Sequence, residues 1–162
     1  MSDPGIQWPA IGFQRKLEVS TYANAEQFSV AHEKYIYMRE GMVLVDSALR
    51  QWKVDRVTKL SQTGSLWYRI LCSFYRLVPY RLAQRVTYLG EITLDEVKRL
   101  IIERIDGDPE AWWNDEVMAG EDGPPIEEEV YLETVRERIR HAKDMTAFFA
   151  MDEFMIDPGI PF

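Results

Sequence analysis

"SALRQWKVDRVTKL", Ser47 to Leu60, is where strand-like sequence gives way to helix-like sequence. Leu49, Trp52, Val57 and Leu60 fall on one broad helical face, with Val54 off it, and this pattern predicts a helix. Upstream, "FQRKLEVST" (Phe13 to Thr21) alternates, with Phe13, Leu17 and Val19 on one side, as in a half-buried strand. Arg15 interrupts the apolar side, which suits an edge. "YIYMREGMVLV" (Tyr35 to Val45) reads as a hairpin: two β-prone runs flank Arg39-Glu40-Gly41, with glycine where a left-handed residue is needed.

Downstream the pattern is helical. From Ser65 to Val78 the polar residues Ser65, Arg69, Ser73 and Arg76 form a narrow stripe, so most of that helix is expected to be buried. Pro79 ends it. Thr93 and Glu96 form a capping box ahead of an apolar face of Leu94, Val97, Leu100, Ile101 and Ile105. Asp108, Pro109 and Glu110 suit the start of a short helix over Pro109 to Met118. After Pro125 a long helix is expected, its acids Glu127 to Glu129 early and its bases Arg136, Arg138, Arg140 and Lys143 late, as the helix dipole favours. Its inner stripe would be Ile126, Val130, Val135, Ile139, Ala142, Met145 and Phe149.

The expected fold is α+β: a small antiparallel sheet, made of an N-terminal strand plus a hairpin, packed with about four helices. The 162 residues make a single domain by length. The repeated "DPGI" at Asp3 to Ile6 and Asp157 to Ile160 marks two turns that would dock the termini.

Charge is unevenly distributed. The net charge is −8, yet residues 106–129 hold ten acids and no base, and residues 47–90 hold eight bases and one acid. The acidic segment pairs its short helix with a Gly/Pro loop and carries adjacent tryptophans, Trp112 and Trp113. On a helix, Trp113 would share a face with Val117 and turn inward, while Trp112 would be pinched or exposed.

Motifs for chemistry are scarce. "HEKYI" at His32 lacks the second histidine of a zinc helix, since Ile36 stands in its place. Glu133, Glu137 and His141 share a helix face, but that spacing more simply describes a solvated face paired with arginines. Cys72, the single cysteine, reads as a small buried hydrophobe, and with no signal-like start it points to a reducing, cytoplasmic setting. Three arginines interrupt the most apolar run, which argues against a membrane span. No cofactor or metal is expected.

The preferred functional reading is therefore a non-enzymatic, acidic binding protein of inhibitor or immunity type. It would meet a basic protein partner through Trp112, Trp113, Asp115, Glu116, Glu121 and Asp122, an aromatic anchor within an acidic rim. The alternative is a nucleic-acid or anionic-surface binder using the aromatic-rich basic middle, with Arg69, Arg76 and Arg81 as the anion contacts. The overall acidity argues against nucleic acid. A small enzyme with a site assembled from distant residues is the third reading.

Overall fold

The computed structural model describes residues 5–14, 19–73, 77–112 and 127–151. Its frame is a six-stranded antiparallel sheet curled into a half-barrel. The strands are β1 (Ala10–Phe13), β2 (Val19–Tyr22), β3 (Val30–His32), β4 (Val43–Asp46), β5 (Arg50–Gln62) and β6 (Pro79–Glu91), in the spatial order β2-β1-β4-β5-β6-β3. Among the described residues there are six helices: α1 (Ala25–Phe28), α2 (Ile36–Arg39), α3 (Leu66–Ser73), α4 (Leu94–Gly107), α5 (Glu128–His141) and α6 (Met145–Phe149). The small sheet with about four helices is thus corrected: the sheet is the larger element, β5 replaces the helix expected over Ser47 to Leu60, and β6 occupies a stretch to which the sequence pattern assigns no element.

The decisive stretch is a strand because of the turn before it. Asp46 is fully buried, and its carboxylate accepts hydrogen bonds from the Ala48 and Arg50 backbone N–H groups, each at 3.0 Å. Leu49 takes a left-handed φ of 59° to complete the reversal. Residues from Arg50 onward must then run back along β4, with Leu44 opposite Trp52 and Val43 opposite Lys53. The helix-like spacing has its own cause. Val54 pairs with Val86 and Arg56 with Arg85, leaving Asp55 as a bulge residue. One extra residue shifts the alternation, so Trp52, Val54 and Val57 all pack on the same side although their spacing is not two throughout.

Two further expectations change. Phe13 to Thr21 is not one strand, because β1 and β2 pair antiparallel, with Phe13 opposite Val19. Cross-strand partners share a face, so both readings put these two side chains on the same side. The expected hairpin at Tyr35 to Val45 keeps its second strand, β4, and its left-handed glycine, Gly41 at φ 80°. Its first strand is instead the short helix α2. That turn brings Arg39 under the sheet, where it is buried and donates to the Phe28 and Val30 carbonyls at 2.8 and 3.0 Å. Its guanidinium also lies over the Tyr22 and Phe28 rings.

Alternation along the strands sends apolar groups to both faces. On one face Ile11, Phe13 and Val45 pack with Val97, Ile101 and Ile105 of α4, Val135 and Ile139 of α5 and Phe148 of α6. On the other, Ala10, Tyr22, Leu44, Trp52 and Val54 pack with Ile6, Phe28 and Met42. The capping box forms as its spacing predicts: Thr93 Oγ1 accepts from the Glu96 N–H at 3.3 Å, and Glu96 accepts from the Thr93 N–H at 3.0 Å. The long helix after Pro125 is broken in two. Asp144 caps α6 by accepting from the Ala147 N–H at 3.0 Å. Leu132 is buried where the expected stripe has Val130, which is exposed; Ile126 lies outside the described residues.

Candidate functional site

β5 and β6 form a hairpin thirteen residues long on each side. Three bulges bend it, with Asp55, Leu60 and Leu89 as the extra residues. β4 covers β5 only as far as Lys53, so the far half of β5 stands clear of its neighbour. There Val57 donates its N–H to Glu40 Oε1 at 3.1 Å instead of to another strand.

One face of this hairpin is basic. Register places Lys53 opposite Thr87, Arg56 opposite Arg85 and Ser61 opposite Arg81. Alternation along β6 sets Arg81, Ala83, Arg85 and Thr87 on one side. This is the same sheet face that the helices cover over β1 and β4, but here Lys53, Arg56, Arg81 and Arg85 are exposed. None of the four makes an ion pair among the described residues. Like charges directly opposite each other destabilise a sheet pair, and Arg56 and Arg85 are such a pair. No acidic residue occurs from Arg56 to Gly90; the acid this face does carry is Asp55, the bulge residue beside Arg56, whose carboxylate accepts a hydrogen bond from the Thr87 hydroxyl.

The tip of the hairpin carries α3. Gly64, at φ 86°, leads into it, and the Ser65 hydroxyl accepts from the Tyr68 N–H at 3.3 Å. The helix is turned opposite to the sequence expectation. No described residue of α3 is buried, and its apolar side chains point outward: Leu66 is 63%, Trp67 76% and Leu71 66% exposed, with Ile70 beside them. Arg69, expected on the wet stripe, is half-buried instead, and its Nε is shielded from solvent with no hydrogen-bond partner. Tyr68 and Cys72 lie on the same inner side, half-buried; burial and the Cys72 thiol push the Tyr68 phenol up. Periodicity finds the two sides of a helix but does not say which one meets the protein. Leu60, a bulge residue near the end of β5, is also exposed.

The other sequence-derived site residues fall elsewhere. Trp112 closes a short 3-10 turn, Pro109–Trp112, and is half-buried against the core shared by α4, α5 and α6. Trp113, Asp115, Glu116, Glu121 and Asp122 lie outside the described residues, as do Arg76 and the rest of the short helix expected to reach Met118. Of the three arginines expected to hold anions, Arg81 is on the basic face and Arg69 is on the inner side of α3. Sequence reasoning missed Lys53, Arg56 and Arg85 as members of one face, because assigning residues 47–60 to a helix separates Lys53 from Arg56 and no strand is read around Arg85 to bring it opposite them.

Glu133 pairs with Arg140 at 2.7 Å and with Arg136 at 3.4 Å, and His141 Nδ1 sits 2.8 Å from the Glu137 carbonyl oxygen on its own helix. Contact with Arg140, and less with Arg136, holds the Glu133 carboxyl below its ordinary range. Among the described residues no group of three histidine, cysteine or acidic side chains is placed to hold a metal ion, and no helix is long and apolar enough to cross a membrane. The chain matches no family profile, no curated protein and no solved structure.

Proposed function

We propose that this protein is a docking module that attaches to an anionic surface through its β5–β6 hairpin. One observation carries the reading: an outward apolar helix face sits at the tip of a hairpin whose cations Lys53, Arg56, Arg81 and Arg85 make no ion pair among the described residues and outnumber the acid beside them, Asp55. Each half of that arrangement is unfavourable to an isolated protein in water. The apolar face loses its hydrophobic stabilisation, and the facing arginines repel each other. An anionic partner with an apolar layer relieves both.

Retention on immobilised heparin tests the electrostatic half. The protein, although acidic overall, should bind at low salt and elute as salt rises, because screening shortens the reach of exposed charges. Arg81→Glu with Arg85→Glu should elute markedly earlier. A protein that passes through heparin at low salt would contradict the reading.

A basic protein partner for residues 106–129 is the second reading, supported by the charge of that segment. The packing of Trp112 against the core favours a structural role for this residue over that of an exposed anchor.

A further inference from the structure

We infer that the anionic surface is a phospholipid bilayer and that α3 is the element that enters it, with Trp67 and Leu71 leading. This rests on the docking reading above and names its partner. Leu66, Trp67, Ile70 and Leu71 are consecutive or four apart, so they form one continuous side of an eight-residue helix. They stand on the outer side of a short element, and three of the four are aliphatic. Aliphatic side chains gain nothing from stacking on bases or from contact with phosphates, so nucleic acid would use the cations and leave this face wet. A bilayer uses both. Aliphatic groups enter the acyl boundary, the tryptophan ring suits the headgroup level, and cations meet the anionic headgroups.

The same observations weigh against a second copy of this chain. Two molecules meeting through α3 would bring two hairpins together, each with a face on which four cations outnumber Asp55. Their repulsion opposes the contact that the apolar face would make. Anionic lipid reverses the sign of that term. A single short helix gives only weak, reversible attachment by insertion, so the cationic ladder of Lys53, Arg56, Arg81 and Arg85 is the second signal that stable attachment requires.

Vesicle sedimentation tests the inference. The intact protein should pellet with vesicles of phosphatidylcholine mixed with phosphatidylserine, and far less with phosphatidylcholine alone. Trp67→Ser with Leu71→Ser changes only exposed side chains and should lower the affinity by about tenfold or more, while heparin retention stays. Lipids brominated in the acyl chain should quench tryptophan fluorescence in the native protein and less in Trp67→Phe. Heparin retention with no pelleting on any vesicle would overturn the lipid inference and leave the docking reading standing. Loss of both would remove the two together. Unchanged vesicle binding in the double serine variant would exclude α3 as the inserting element. Self-association that is abolished by Leu71→Ser, without pelleting, would assign the face to a second copy.

Discussion

At the scale of single residues, Asp46 organises a corner of the fold. Its carboxylate accepts from Gln7 N–H at 3.1 Å, from Trp52 Nε1 at 3.0 Å and from Arg50 Nη2 at 2.8 Å, besides the two turn N–H groups. Burial pushes its carboxyl up, but hydrogen bonds from Gln7, Arg50 and Trp52 outweigh that and hold it below the ordinary range. Asp46→Ala would leave buried donors unpaired, and is expected to cost about 3 kcal/mol, read as a lower urea midpoint. The pH dependence has a definite sign. Since the folded value lies below the unfolded one, this stabilisation is complete above about pH 4 and is lost as pH falls through the folded value. Denaturation midpoints followed from neutral to acid should therefore fall less in Asp46→Asn than in the native protein. Equal acid slopes would take Asp46 out of the account.

At the scale of elements, α4 and the turn after it give two separable tests. Thr93→Ala removes the cap of α4 and should cost about 1 kcal/mol without altering heparin retention. Trp112 packs on the core from the Pro109–Trp112 turn, so Trp112→Ala should lower stability by about 2 kcal/mol, less than for a fully buried ring. A thermal melt reads this directly. If the melt is unchanged and capture of a basic protein partner is lost instead, Trp112 is an anchor and the reading of the acidic segment as a binding surface gains over the hairpin. The hairpin itself is bent by its three bulges.

Across the whole molecule the charges are separated. Ion pairs of the helical layer tie α4 to α5, as where Arg136 meets Asp106 at 2.8 Å; in the hairpin Arg50 pairs with Asp46 and Lys59 with Glu33, while Lys53, Arg56, Arg81 and Arg85 make no ion pair among the described residues. A protein selected for stability alone would not keep Arg56 opposite Arg85. Arg85→Glu turns that repulsion into attraction, and is expected to stabilise the fold by roughly 0.5 kcal/mol while weakening heparin and vesicle binding. The two effects are measured on one variant, by urea denaturation and by salt elution. A variant that is less stable, or equally well retained, would show that the facing arginines are not held for anion binding.

What the sequence determined by itself is local. The capping box of Thr93 and Glu96, the inward stripe of Val97, Ile101 and Ile105, the strand from Val43 and the left-handed Gly41 each depend on residues a few positions apart, and each is present. The uneven charge was legible too, since it needs only counting. Three decisions belonged to the tertiary structure. The chain from Arg50 is a strand because the buried Asp46 turn sets it against β4, and the bulge at Asp55 then disguises its alternation. Phe13 and Val19 belong to two strands, a distinction hidden because antiparallel partners share a face. The apolar side of α3 faces outward because the hairpin tip presents its inner side to Tyr68, Arg69 and Cys72. Periodicity records that a helix has two unlike sides. Which side is covered depends on neighbours distant in the chain, and these are set only when the sheet curls and the hairpin bends.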